Sequence, residues 1–158
     1  MFRRNDISTS NIHNNLMFYE ILYRSFKFQA LSLVDFLRDH NQVDWKVSRF
    51  KYAVDDIVFI YSAKPDQKLT HVMRVTQVNI KFKDSIPDDG YWVDRAAYSA
   101  SIAEDNFCRF ELIEEIQSDK LTLEKLMEHG MTKAPQSAQT LKADTLKYIF
   151  QILGKEYL

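Results

Sequence analysis

The segment Asp56-Ile-Val-Phe-Ile-Tyr-Ser62 decides the fold class of this 158-residue chain. Its five central residues, Ile57 to Tyr61, are all apolar or aromatic. A run this short and this apolar is typical of a strand that is buried on both faces or that crosses the core of a barrel. We therefore predict a central β-strand at 56–62.

A turn and a second, longer strand follow this segment. Lys64-Pro65-Asp66-Gln67 favours a turn, because proline presets φ and the aspartate side chain can bond the backbone that follows it. Residues 69–80 (LTHVMRVTQVNI) then pair back as a hairpin. Neither alternating side of this run is purely polar, as expected of a long strand that curves around a barrel.

Patterns elsewhere in the chain predict two more strands and three helices around this hairpin. Thr122 is a plausible N-cap, and Gly130 and Gly154 end the last two helices. Because strands and helices do not alternate as βαβ units, the order predicts an α+β fold with a partly closed β-barrel and helices outside it. The strands are expected at 16–25 and 106–117, and the helices at 31–38, 121–129 and 143–153.

Length and composition indicate one domain. With 46% hydrophobic residues the chain can build a single core over 16–158, behind a polar tail or linker at 1–15. A further short helix is predicted at 94–101. No apolar run approaches the roughly 18 residues that span a bilayer, and the first residues lack a signal-peptide core. We expect a cytoplasmic protein without membrane contact.

The residues that usually carry catalysis or bind metals are scattered. Cys108 is the single cysteine, which excludes an internal disulfide and a cysteine-rich zinc site. The four histidines stand singly, and the carboxylate pairs at 55–56 and 88–89 have no third ligand at a recognisable spacing. Nucleophile-elbow, phosphate-loop and dinucleotide-binding motifs are missing. We therefore expect no metal, no cofactor and no catalytic centre.

Charge is distributed unevenly although the formal net charge is −1. Residues 42–83 contain eight Lys or Arg against four Asp or Glu, whereas residues 84–128 contain four against twelve. A locally basic face can serve an anionic partner even in a nearly neutral chain. The alternative is that both blocks are ordinary solvated faces.

Three segments combine residue types suited to nucleic acid. In 43–49 (VDWKVSR), an indole that can stack on a base for roughly 1 to 3 kcal/mol stands beside cations that can hold phosphates. The alternative is a tryptophan that plugs the barrel end. Residues 90–93 (GYWV) put two large aromatics in a loop, where they either bind or cover a core edge, and 134–140 (APQSAQT) offers amides and hydroxyls for base edges or phosphates. The candidate side chains of the first two segments are Trp45, Lys46, Ser48, Arg49, Tyr91 and Trp92.

Two ordered blocks of sequence resemble EVE-like domains. Trp45 followed by 54–61 (VDDIVFIY), Lys64-Pro65 and 72–75 (VMRV) is similar to the pattern in which a Trp precedes V-G-D-I-V-Y-I-Y. Residues 126–130 (LMEHG) followed by 134–137 (APQS) resemble the ending of EVE-like domains attached to restriction and HNH-type proteins. The resemblance covers about 17–153 and implies a PUA-like barrel related to YTH domains, which capture a flipped, often modified base in an aromatic pocket.

The resemblance also implies a set of site residues. Trp45 falls on the pocket wall and Ser25 on the pocket floor, while Pro135, Gln136, Ser137 and Gln139 fall on a loop near the nucleic-acid backbone. A second aromatic is not placed by motif: Trp92 and Tyr91 are candidates by location, with Tyr61 behind them. The chain departs from the pattern at Asp55 and Ser137, which stand where glycine is usual. Because aspartate adopts positive φ less readily than glycine, we expect the turn at Asp55 to differ.

The resulting expectation is a non-catalytic reader of DNA or RNA. The basic blocks Trp45–Arg49 and Lys64–Lys68 would hold phosphates while Trp45 stacks on an extruded, modified base, in a restriction or defence system with a nuclease or ATPase partner. One alternative is an enzyme acting on nucleic acid or nucleotides, which would bring Asp56 or Asp88 to face Trp45. The other is a protein-interaction module that uses the acidic block 84–128.

Overall fold

The computed structural model describes residues 36–46, 51–87, 96, 99, 106–136 and 138–157, together with the backbone of 16–19. The predicted tail at 1–15 lies outside the described residues. Two of the predicted helices are described in part: residues 36–38 of the helix predicted at 31–38, and residues 96 and 99 of the helix predicted at 94–101. All five of these residues are helical.

In the described part of the chain, six strands form one mixed sheet in the order β2-β5-β4-β3-β1-β6. The pairing of β1 with β3 is parallel, and the four other pairings are antiparallel. The structure is therefore α+β, as the order of elements predicted. The strands are β1 (Leu16–Tyr19), β2 (Gln42–Lys46), β3 (Ile57–Ser62), β4 (Lys68–Ile80), β5 (Phe107–Glu115) and β6 (Gln139–Thr140).

β3 lies in the middle of the core, with buried side chains on both faces. Ile57, Phe59 and Tyr61 point to one cluster of apolar side chains, and Val58 and Ile60 point to another. All five are at most 3% exposed. The prediction that 56–62 contains a strand buried on both faces is confirmed.

The first cluster, cluster one, is covered by two helices, α1 (Leu123–Glu128) and α2 (Ala143–Leu153). The Thr122 hydroxyl accepts a hydrogen bond from the Lys125 amide, which confirms it as the N-cap of α1. Gly154 ends α2 in the left-handed conformation, with φ 73°. Cluster one consists of Ile57, Phe59, Tyr61, Leu69, Val72, Ile116, Leu121, Leu126, Met131, Leu141, Leu146, Tyr148, Ile149 and Tyr157.

The second cluster, cluster two, draws on both ends of the strand order. β2 contributes Val43 and Trp45, and Ala138, which precedes β6, packs against the same cluster. Since β2 and β6 are the outer strands of the order, the sheet is concave on this face. The other members of cluster two are Phe36, Leu37, Tyr52, Val58, Ile60, Met73, Val75, Cys108 and Phe110.

Register shifts in the β3–β4 and β4–β5 pairings accompany this curvature. Among the described strands β2 pairs with β5 and β6 pairs with β1, so closure into a barrel stays a prediction. No helix in the described part of the chain is long and apolar enough to cross a membrane.

The turn before β3 corrects the expectation about Asp55. Asp55 adopts φ 75°, in the left-handed region that glycine would favour, and its amide donates to the Val75 carbonyl at 2.8 Å. The buried Asp56 carboxylate accepts the Ala53 amide at 2.8 Å and so holds the turn together. Burial raises the pKa of Asp56, partly opposed by this bond. The expected difference in backbone conformation at Asp55 was therefore wrong.

Candidate nucleic-acid interface

β2 places its side chains alternately on the two faces of the sheet. Val43 and Trp45 are buried on the concave face, in cluster two, whereas Gln42 and Lys46 are half-buried on the opposite face and the Asp44 side chain there is 2% exposed. The sequence did not lead us to predict a strand at 42–46, because the segment is short and contains only two apolar residues. The alternation itself was the available signal.

Three strands meet at the end of β2. Lys46 is the register partner of Phe107, the first residue of β5, and Phe107 is the register partner of Ile80, the last residue of β4. A single 3₁₀ turn, Phe82–Asp84, follows β4 and packs the Phe82 ring 6.2 Å from the Phe107 ring. Lys81 and Lys83 are exposed on either side of Phe82. We call this group the basic end of the sheet: Lys46, Lys81, Phe82, Lys83 and Phe107.

An ion pair lies beside the basic end of the sheet. Arg109 donates from Nε and Nη2 to the two carboxylate oxygens of Asp44, both at 2.8 Å. Its hydrogen bonds to Asp44 raise the pKa of Arg109 further above its usual value. The described residues at 44–46, 81–84 and 107–109 include four cations, Lys46, Lys81, Lys83 and Arg109, against the two carboxylates of Asp44 and Asp84.

Trp45 is almost completely enclosed, with 5% of its surface exposed. Its register partner is Cys108, which is also in cluster two. Burial raises the pKa of the Cys108 thiol to about 11, so the sulfur stays protonated and unreactive at neutral pH. In this conformation Trp45 packs the core, which is the alternative role that its position in the sequence allowed.

Two of the predicted site residues lie apart from Trp45. Tyr61 is 1% exposed and belongs to cluster one, so it lies on the other face of the sheet from Trp45. Lys64 is exposed in the turn before β4, whereas Lys46 lies level with the end of β4. β4 has 13 residues, which corresponds to a length of roughly 40 Å along the strand. The structure therefore does not bring Tyr61 or Lys64 together with Trp45 and Lys46.

The loop before β6 reaches the concave face. Pro135 is buried, Gln136 is exposed, and Gln139 is half-buried in β6 opposite Phe18. Through Ala138 this loop packs against cluster two, which also contains Trp45. The remaining predicted residues, Ser25, Ser48, Arg49, Tyr91, Trp92 and Ser137, lie outside the described residues.

The His129-Gly130 element, which is part of the resemblance, joins the two helices. The His129 ring stacks on Tyr148 of α2 at 3.8 Å, and the Thr145 hydroxyl donates to the His129 carbonyl at 2.8 Å. Gly130 has φ 104°, and a Cβ atom there would lie 3.1 Å from the Thr145 hydroxyl. These contacts give the element a role in packing.

Two other features bear on possible sites in the described part of the chain. A surface groove of about 340 Å³ runs between α1 and α2. Its lining residues are distant in sequence from those of the basic end of the sheet. No group of three or more His, Cys, Asp or Glu side chains that could hold a metal ion is found among the described residues. The groove is lined by Glu128, His129, Gly130, Asp144, Lys147, Tyr148 and Gln151.

The described mixed sheet, with α1 and α2 packed on one face, has structural neighbours among solved proteins. The crystal structure of ASCH from Zymomonas mobilis superimposes with a TM-score of 0.61 at 12% identity, over 87% of this chain and 95% of that one. A serine-to-alanine variant of the same protein gives 0.57, at 12% identity and 87% and 96% coverage. A hypothetical protein from Leishmania major gives 0.52, at 16% identity and 87% and 93% coverage.

Sequence comparison with known proteins does not assign this chain to a family. No protein-family model matches the chain, and no curated protein matches it either. The likeness to ASCH structures therefore establishes the fold. The narrower resemblance to EVE-like domains of restriction and HNH-type proteins stays a prediction.

Proposed function

We propose that this chain binds nucleic acid through the basic end of the sheet. The observation that carries the proposal is the convergence of Lys46 from β2 with Lys81 and Lys83 after β4, around the packed rings of Phe82 and Phe107. Ammonium groups neutralise phosphates and release counterions, and the half-buried Phe82 ring offers a surface on which a base stacks, whereas Phe107 is 5% exposed and packs against Phe82. The combination suits a strand with accessible bases better than a small metabolite.

The fold supports the same ligand class. PUA-like architecture is consistent with an RNA-binding domain, and the ASCH structures share that architecture with this chain. The basic block counted in the sequence, 42–83, contains all three lysines of the basic end of the sheet. The acidic block starts directly after it, at Asp84, so the two charged regions meet at the 3₁₀ turn.

The finer proposal is capture of a flipped, modified base beside Trp45, without catalysis. Extruding a base costs a few kcal/mol of unstacking, which stacking and edge hydrogen bonds must offset. Because Trp45 is 5% exposed, this capture requires the side chains or loops around it to move aside. The loop that ends at Ala138 packs on the same cluster and is the described segment best placed to do so. Such a reader would act with a nuclease or ATPase in a restriction or defence system.

The test compares the two ends of the sheet. We expect Lys81→Ala/Lys83→Ala to weaken binding of a fluorescent 12-nucleotide RNA or DNA strand by roughly 25-fold at 0.1 M salt, if each lysine holds one phosphate. Lys64→Ala removes an exposed lysine from the opposite end and is the matched control. Its affinity should stay within about twofold of the unaltered protein, since surface charges far from the ligand are screened over about 10 Å.

Three results would contradict the proposal. Equal loss in the control and the double variant would indicate non-specific attraction, and unchanged affinity in the double variant would place binding elsewhere. Cleavage of the oligonucleotide by the purified protein would favour the enzyme alternative. Running the same titration with strands that carry methylated cytosine or adenine tests the finer proposal, which fails if modified and unmodified strands bind equally well.

A further inference from the structure

Asp44 is the centre of a buried hydrogen-bond arrangement beside the basic end of the sheet. Its side chain is 2% exposed and accepts three hydrogen bonds. Two come from the Arg109 guanidinium at 2.8 Å, and the third comes from the Ile86 amide at 2.7 Å. A bidentate guanidinium-carboxylate pair fixes orientation as well as distance.

These bonds attach the segment 81–86 to the sheet. Within the segment, the Asp84 amide donates to the Lys81 carbonyl at 2.9 Å, and the Ser85 hydroxyl donates to the Phe82 carbonyl at 2.6 Å. One 3₁₀ turn is weakly stable alone, so its position depends on what holds its ends. β4 holds the beginning of the segment, and Asp44 holds its end at Ile86. Arg109 adds a longer contact to the Asp84 carbonyl, at 3.5 Å.

We propose that the segment 81–86 is a phosphodiester-backbone subsite and that Asp44 is its positioning residue. This inference rests on the proposed function. Lysine has three donors and no acceptor, so Lys81 and Lys83 bind phosphates and read little of the base sequence. Asp44 does not touch the nucleic acid. Through its bond from the Ile86 amide it holds the end of the segment that carries Lys81 and Lys83.

The salt dependence of affinity measures this role. For a single strand, the slope of log K against log salt is about −0.7 for each phosphate that the protein neutralises. Loss of two positioned lysines should therefore lower the magnitude of the slope by about 1.4. Partial unfolding lowers the apparent affinity by one factor at all salt concentrations, provided the salt leaves stability unchanged. A purely structural role for Asp44 therefore leaves the slope unmoved.

The experiment titrates a labelled 12-nucleotide polyuridine strand between 50 and 300 mM NaCl. We expect Asp44→Asn to reduce the slope as much as Lys81→Ala/Lys83→Ala does, and the triple variant to show no further reduction. Asp119→Asn is the matched control, since it breaks an exposed ion pair with Lys68 at the other end of β4. Its slope should equal that of the unaltered protein.

An unchanged slope in Asp44→Asn, or reductions that add in the triple variant, would overturn the inference. If Asp44→Asn does not fold, Arg109→Lys replaces it, because lysine keeps the charge and loses the two-pronged contact. That variant must show a smaller reduction in the same direction, and an unchanged slope overturns the inference equally. If the unaltered protein binds no strand at all, the proposed function fails. If it binds normally and only the Asp44 result fails, the positioning role alone is wrong.

Discussion

Replacing Gly130 by alanine adds only one methyl group, yet we expect it to lower the stability of the protein strongly. Gly130 follows α1 with φ 104°, a conformation that residues with a Cβ atom rarely adopt. The added Cβ would lie 3.1 Å from the Thr145 hydroxyl and 3.5 Å from Asp144 Cβ. Thr145 is fully buried, so its side chain has little room to move away.

Two contributions set the magnitude. Holding a non-glycine residue in such a backbone conformation costs about 1 to 3 kcal/mol. Displacing the Thr145 hydroxyl weakens its hydrogen bond to the His129 carbonyl, which contributes a further 0.5 to 1.5 kcal/mol or so. The sum is about 1.5 to 4.5 kcal/mol, and for a chain of this size each kcal/mol lowers Tm by roughly 2 to 4 °C.

Gly154→Ala is the control, because Gly154 also has positive φ but nothing lies within 4 Å of the added atom. It should cost only about 1 to 2 kcal/mol from the backbone. Urea-induced unfolding, followed by far-ultraviolet circular dichroism, measures both variants. Equal midpoints for the two would refute the argument from the Thr145 contact. The folded fraction of Gly130→Ala should bind oligonucleotide as the unaltered protein does, since this element contacts Asp144, Thr145 and Tyr148, none of which belongs to the basic end of the sheet.

Two further predictions concern buried side chains of β2 and β4. Trp45→Ala should lower the free energy of unfolding by about 3 to 5 kcal/mol, because it leaves a cavity in cluster two, and a loss under 1 kcal/mol would mean that the indole is not packed as described. An effect confined to binding is therefore not expected of this variant, and Trp45→Phe is the better probe of stacking. Burial lowers the pKa of His71, more than Glu115 raises it, so the native state binds fewer protons there than the unfolded chain. The contribution of His71 to stability is complete above its unfolded pKa of about 6.5 and is lost as pH falls from there through the lower pKa of the native state. Unfolding of the protein and of His71→Gln should thus diverge between pH 7 and pH 5, and parallel stability profiles would contradict the assignment.

Local sequence predicted the elements whose stability is local. Because every residue of the run 57–61 is apolar, a strand there must be buried on both faces whatever its position in the sheet. Thr122 and Gly154 mark helix ends through hydrogen bonds to residues only a few positions away. The hairpin after Ser62 follows from the turn residues that separate two apolar runs. These signals need no knowledge of distant partners.

The candidate site depended on pairings that are distant in the sequence. Asp44 and Arg109 are 65 residues apart, and neither residue nor the turn at 82–84 attracted attention as part of a site. Lys64 and Lys46 both lie in the basic block of the sequence, yet the length of β4 separates them. Charge counted along the chain does not tell which charges share a surface.

The sequence by itself therefore determined that the chain folds around a doubly buried strand, with an α+β order of elements and unequal charge along its length. Those properties follow from hydrophobic patterning and from residue types, which act over a few neighbouring positions. Tertiary structure alone decided that Trp45 faces a core, that Tyr61 lies behind the sheet, and that three lysines meet around Phe82 and Phe107. The reason is physical: strand register sets which side chains share a face, and register is decided by the partner strand.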